Sequence, residues 1–328
     1  MFLTFEETSE LIRQGKVLHI AGTEQLLRKL PKGNWVGGST EYFMTKEGGV
    51  VSDERLMVAE FPFYTFDVFE IKAYGIETIS DIAKNTSEEG FSLVLIPAET
   101  PVHAEYAQYA QFYEDMFVKS VVGWITGANP AKAGQIPIAV NGKSGEVFTD
   151  KAVVLGVSTK RSVDINIVNI FETDPNSPVI TFTEFLNNGF SVEKCLINGE
   201  EVIFADYLIQ NKIDTHVPLI GQYSGAELNT SFWGIKDGKV NFAGPLFDYI
   251  EYRLAKPLLD YEKAFNEKLA QIADVKPLFC CNCIGNFWYG NLEGKMKDSV
   301  TAAFTGPITF GEIAYQVVNQ TLVYITVK

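Results

Sequence analysis

Positive charge is in short supply in this chain: 27 Lys and Arg stand against 41 Asp and Glu, a net charge of −14. A surface of that sign repels phosphate backbones and anionic headgroups on average, so neither nucleic acid nor a membrane is an expected partner. The densest basic clusters, Arg28-Lys29 with Lys32 and the pair Lys160-Arg161, are too small to track a duplex. Nowhere do roughly 18 apolar residues run uninterrupted, which excludes an ordinary helical membrane span. The first residues have neither the basic nor the apolar region of a signal peptide, and no tract is low in complexity. Cysteine is scarce too: of four, Cys280, Cys281 and Cys283 crowd together, unlike the spaced framework of a secreted disulfide protein. A cytoplasmic protein is expected.

What is present is the mix of a globular chain, 46% hydrophobic and 21% charged over 328 residues, enough for two domains of ordinary size. Thr4-x-x-Glu7 is a capping-box pattern that starts a helix, and Gly15 is placed to stop it. A short helix is expected over 25–28, halting before Pro31, and residues 34–40 and 55–61 read as paired strands separated by the turn chemistry of Gly48-Gly49. Over 103–118 a helical stripe carries Tyr106, Tyr109, Ala110, Tyr113 and Phe117, and reads as core. Residues 91–97, 121–126, 152–157 and 165–171 are compact, almost continuously apolar runs, as expected of strands covered on both faces. Further on, a helix over 204–212 leads into a strand at 217–221, and a helical pattern over 246–272 is interrupted by Pro257. A last helix is expected over 312–319, with Glu312 in its first turn complementing the helix dipole. The expected class is α+β, with mixed sheets as inner layers and helices packed outside.

The pattern restarts after the turn-rich Asp174-Pro175-Asn176-Ser177-Pro178. Val36-Gly37-Gly38-Ser39-Thr40 and Ile220-Gly221-Gln222-Tyr223-Ser224 each put an aliphatic residue and a glycine at a strand end, followed by hydroxyl residues. Gly37 lies sixteen positions before Asp53, and Gly221 sixteen before Asp237; a short strand and a proline, Pro62 or Pro245, follow each. The matched order points to two similar α/β halves, 1–173 and 174–328, with a ligand held between them.

These residues resemble the FIST domain family, sensory modules with an N-terminal and a C-terminal part. Trp35-Val36-Gly37-Gly38-Ser39-Thr40 is similar to the turn of the N-terminal part. Phe279-Cys280-Cys281-Asn282-Cys283-Ile284-Gly285-Asn286 is similar to the family's strand ending Cys-x-Gly-Arg, with Asn286 where the family has arginine. Gly306-Pro307-Ile308-Thr309-Phe310-Gly311-Glu312-Ile313 is similar to its closing Gly-Phe-Tyr-Thr-x-Gly-Glu-Ile pattern. The resemblance implies a non-enzymatic sensory protein that binds a small ligand, an amino acid or related carboxylate, and passes the signal to a separate protein.

Glycine-hydroxyl turns suit that role, because open backbone N–H groups and hydroxyls hold carboxylates and carbonyls. The candidate ligand-binding residues are therefore Gly37, Gly38, Ser39, Thr40, Tyr223 and Ser224, joined from the tail motifs by Cys283, Asn286, Glu312 and Tyr315. The bland reading of the turns is a tight hairpin. Neither a P-loop nor a dinucleotide fingerprint occurs, so no nucleotide cofactor is expected. Cys-Cys-x-Cys in a strand sends its thiols to opposite faces and lacks the Cys-x-x-Cys spacing of a closed metal site, so these cysteines read as buried structure. The alternative function is a cysteine-dependent hydrolase or transferase using Cys283, with His216 or His103 as its base.

Overall fold

The computed structural model describes residues 1–62, 68–223, 225–297 and 301–328. It is an α+β fold in which several mixed sheets carry helices on their outer faces. Thr4 opens the first helix, Phe5–Arg13, as the capping box predicts: its hydroxyl accepts from the Glu7 N–H at 3.2 Å, and the Glu7 carboxylate accepts from the Thr4 N–H at 2.8 Å. That helix and Glu24–Leu27 cover one face of the first sheet, whose strand order is Phe2–Leu3, Leu56–Phe61, Val17–Gly22, Trp35–Ser39, Ala139–Asn141, Glu146–Phe148.

The second sheet places Gly90–Pro97 between Val121–Thr126 and Ala152–Ser158. Phe91, Leu93 and Leu95 point into one core, while Val94 and Ile96 point into another beneath helix Pro101–Tyr109, which explains the unbroken apolarity of this strand. The first of these cores also takes Val36 and Met57 from the first sheet, and Phe279, Cys281 and Val323 from the third. That third sheet runs Val163–Asn169, Thr321–Val327, Phe279–Cys283, Gly306–Thr309, Tyr42–Thr45, Gly48–Val51. Helix Tyr261–Ala270 covers it through Tyr261, Phe265 and Leu269.

Residues 180–254 build a fourth sheet and a three-stranded one around a core of their own, with helix Phe204–Gln210. Gln320 couples this unit to the rest: its side-chain carbonyl accepts from Ser231 Oγ at 2.8 Å and its amide donates to the His216 carbonyl at 2.8 Å.

Several expectations need correction. The division at residue 173 runs through the sheets, since Tyr42–Thr45 pairs with Gly306–Thr309 and Glu312–Ala314 pairs with Val121–Thr126. Gly37 and Gly221 do not occupy equivalent positions. Gly37 lies between a parallel and an antiparallel neighbour, whereas Gly221 lies between two antiparallel ones. The closing helix over 312–319 is instead a hairpin of Glu312–Ala314 and Gln316–Val318, turning at Tyr315 with φ +67°. The helix over 103–118 ends at Tyr109 with a single 3-10 turn beyond it, and the pattern over 246–272 contains the strand Tyr252–Leu254 before its helix begins.

A candidate binding cleft at the converging strand ends

Among the described residues three strand pairs are parallel and joined by a helix: Val17–Gly22 with Trp35–Ser39, Gly90–Pro97 with Val121–Thr126, and Phe279–Cys283 with Gly306–Thr309. The carboxyl ends of parallel strands are where open α/β sheets bind ligands, because the loops there diverge and leave a crevice. Here the three ends are tied together. The Gly127 N–H donates to the Ser39 carbonyl at 2.8 Å, the Phe310 N–H to the Ile125 carbonyl at 3.0 Å, and Thr40 Oγ1 to the Ile308 carbonyl at 2.8 Å. Gly38 permits the approach, since a Cβ there would lie 2.7 Å from the Trp124 ring.

Beside this junction lies a cleft of about 740 Å³, within the range of small-molecule sites. One wall is Ala98, Glu99, Thr100, His103 and Ala104, where Gly90–Pro97 turns into helix Pro101–Tyr109, together with Phe310. The facing wall comes from the 180–254 unit: Asn187, Asn188, Phe190, Trp233, Lys236, Asn241 and Phe242. Aromatic surface is therefore interleaved with three amides, one ammonium and one carboxylate. Trp233 is 43% exposed although its ring lies 6.0 Å from that of Trp288, an apolar surface left open to solvent.

Thr100 and Pro101 fix the start of the helix: Thr100 caps it by accepting from the His103 N–H at 3.2 Å, and proline takes the first helical position, where its missing N–H costs nothing. The cap sets His103 against the cleft at 7% exposure, its ring plane inclined 65° to that of Phe190 with 5.6 Å between centroids. Its Nδ1 accepts from the Glu99 N–H at 3.3 Å, and its Nε2 has no partner. Burial pulls the imidazole pKa down to about 4, so the ring is neutral at physiological pH.

The cysteine-rich strand has a different character. Cys280, Cys281 and Cys283 are all buried, and burial, followed by the Glu312 carboxylate, raises each thiol above its ordinary value. Cys195 is pushed up to about 12 by burial alone. A thiol held neutral is a poor nucleophile. His216, the base sequence offered, has a side chain 65% exposed and is occupied with Asp214 at 3.1 Å. Among the described residues no group of three or more His, Cys, Asp or Glu side chains is placed to hold a metal ion.

Glu312 is fully buried beside these thiols. Its Oε2 accepts from the Thr321 N–H at 3.2 Å and hydroxyl at 2.8 Å, and Oε1 lies 2.7 Å from Thr309 Oγ1. That threonine hydroxyl also lies 3.2 Å from the Asn282 carbonyl, and it has only one proton to give. A proton on Glu312 satisfies both contacts, Glu312 donating to Thr309 and Thr309 to Asn282. Burial pushes the carboxyl up to about 8 against the hydrogen bonds that favour its ionised form, in keeping with that pattern.

The residues singled out by sequence are thus scattered. A Cβ at Gly37 would meet Trp35, Leu27 and the Ile20 carbonyl, and one at Gly221 would meet Tyr223, Tyr252 and Ile250, so both are packing glycines. Ser39 Oγ accepts from the Ile138 N–H, which spends it on the junction with Thr40. Tyr223 packs against Phe247, Ser224 lies outside the described residues, and Tyr315 stacks on Phe117 while its carbonyl accepts from Tyr106 Oη at 2.7 Å. Cys283, Asn286 and Glu312 do come together, as a buried polar cluster in which Asn286 donates to Asn282 at 2.9 Å. None of the nine described among these residues lines the cleft. The sequence does not single out His103 and Trp233 as residues of a cleft wall; the local signal for the first is Thr100-Pro101 directly after an apolar strand, which places His103 in a helix's first turn.

No curated protein matches the chain. The model of a family of unknown function, DUF6976, matches residues 3–328, and the chain therefore belongs to that family.

Proposed function

We propose that this is a non-enzymatic protein that binds a small molecule, an amino acid or a related carboxylate, in the cleft between the 98–104 turn and the 180–254 unit. The observation that carries this reading is the cleft itself: about 740 Å³, walled by aromatic rings from two separately packed units, with a buried histidine edge that has no protein partner. An ammonium, Lys236, and a carboxylate, Glu99, in the same lining suit a ligand that carries polar groups beside its apolar body. The deactivated thiols favour binding over the cysteine-dependent hydrolase, and the resemblance to FIST sensory modules points the same way.

The test is a thermal-shift panel of amino acids, aryl carboxylates and alkyl carboxylates. A ligand at one hundred times its Kd adds about 2.7 kcal/mol to stability, a shift of several degrees in a chain of this size. Ala104→Trp, which fills the cleft from the helix, should abolish the shift and leave the ligand-free transition unchanged. A panel without any shift, or a shift that survives Ala104→Trp, contradicts the proposal.

A further inference from the structure

We propose that His103 offers a neutral Nε2–H to the ligand, so that the cleft selects a molecule with an aromatic or branched apolar body and a carbonyl or carboxylate oxygen at its inner end. The inference rests on the binding role of the cleft and adds which end of the ligand enters and what chemistry it must carry.

The tautomer follows from one hydrogen bond. A backbone N–H can only donate, so the nitrogen that receives the Glu99 N–H at 3.3 Å, Nδ1, is the one that carries the lone pair. A neutral imidazole has one proton, which is then on Nε2. The arrangement is held from both sides: Glu99 takes a left-handed conformation, φ +59°, that turns its N–H toward the ring, and Thr100 fixes the first turn of the helix below it. Nε2–H is consequently a buried donor without an acceptor, among the few such groups in the described residues.

A buried donor calls for an oxygen. A metal ion at Nε2 would have to displace that proton, and moving it to Nδ1 would set two donors against each other at Glu99. A ligand ammonium would likewise face the N–H donor to donor. A carbonyl or carboxylate oxygen removes the deficit, while Phe190, Phe242, Trp233 and Phe310 receive the apolar body. Nε2 is sealed from solvent, and the Phe190 ring lies 5.6 Å from the imidazole between centroids, so the lining must move locally to admit the oxygen. Lys236 and the amides at the opening then meet the polar groups of the outer end.

Three probes that share one ring separate the possibilities: phenylacetate, phenylacetamide and phenethylamine, titrated calorimetrically into the wild-type chain, His103→Phe, His103→Gln and Trp233→Ala. The two oxygen-bearing probes should bind, and phenethylamine should bind at least about tenfold more weakly, since leaving a buried donor unpaired carries a penalty of that order. His103→Phe should lose about tenfold for the oxygen-bearing probes, with His103→Gln, whose amide N–H falls near the Nε2 position, restoring most of it. Nitrogen-15 spectra of the ligand-free chain should show His103 protonated at Nε2. Protonation at Nδ1 overturns the inference without recourse to any variant. Unchanged binding in His103→Phe together with loss in Trp233→Ala overturns the role of His103 and leaves the cleft as the site. Preferential binding of phenethylamine overturns the ligand class. If no probe binds and the broad panel gives no shift, both the inference and the cleft reading fall.

Discussion

At the scale of single residues, three buried ionisable groups make the stability depend on pH. Burial holds His103 near a pKa of about 4 and His19 near about 3, both below the ordinary 6.5. Their folded forms refuse a proton that the unfolded chain takes up, so the stability they carry is present above pH 6.5 and is lost as pH falls through the folded values. Glu312 has the opposite sign. Its pKa, raised from 4.5 to about 8, means that its contribution is complete below pH 4.5 and is lost as pH rises through 8. The shifts correspond to a few kcal/mol per group, each pKa unit being about 1.4 kcal/mol. Between pH 6.5 and 8 the Glu312 arm lowers stability as pH rises, opposed by the Met1 amino group, whose pKa burial pulls below its ordinary 8.0. Glu312→Gln, nearly isosteric and without charge, should flatten that arm, and equal slopes in the two proteins would mean that Glu312 is ionised in the fold. The thiols give a second prediction: iodoacetamide should label the native chain slowly and the denatured chain quickly at all four cysteines. Rapid labelling of Cys283 at neutral pH would restore the enzyme reading. Burial of the cysteines was legible in their residue type, once their spacing had argued against a metal site. The proton on Glu312 was not, because it depends on Thr309, Thr321 and Asn282 arriving from three separate strands.

At the scale of elements, residues 312–318 show where local pattern gives way to pairing. Glu312 after Gly311 reads as a first-turn carboxylate, yet Ile313 pairs with Val317, and Glu312 with Val318, across a tight turn at Tyr315. Strand pairing beside Val121–Thr126, with β-branched Val317 and Val318 in the outer strand, outweighs the dipole complement of one carboxylate. The capping box at Thr4 and the strand runs at 91–97 and 121–126 were legible because their signals are local: a cap is read over four residues, and a strand covered on both faces needs no alternation. The element that positions His103 is equally local and gives the third prediction. Thr100→Ala removes the cap of helix Pro101–Tyr109 and should lower stability by about 1 kcal/mol in denaturant unfolding. It should also weaken ligand binding, since His103 is held by the same hydroxyl. An effect on stability without one on binding would separate the helix from the site.

For the whole molecule, the decisive feature is interleaving. Strands from before residue 173 and after residue 278 share the second and third sheets, while the 180–254 unit closes on itself. A break in composition at Asp174-Pro175 could be seen in sequence, but which strands pair across it could not, because the matched spacing around Gly37 and Gly221 carries no information on partners. A fragment of residues 1–173 should accordingly fail to unfold cooperatively, lacking the strands that complete two of its sheets; a well-dispersed spectrum and a sharp transition from that fragment would contradict this topology. The cleft is a product of the same interleaving, assembled from the 98–104 turn, Phe310 and the far wall of the 180–254 unit, so no single motif announces it. The measurement that tests its role most directly is hydrogen–deuterium exchange of the chain with and without the strongest stabilising carboxylate. Protection is predicted at 98–104 together with 187–190 and 233–243, whereas protection confined to the 35–40 and 219–223 strands, or none in either wall, would contradict the account.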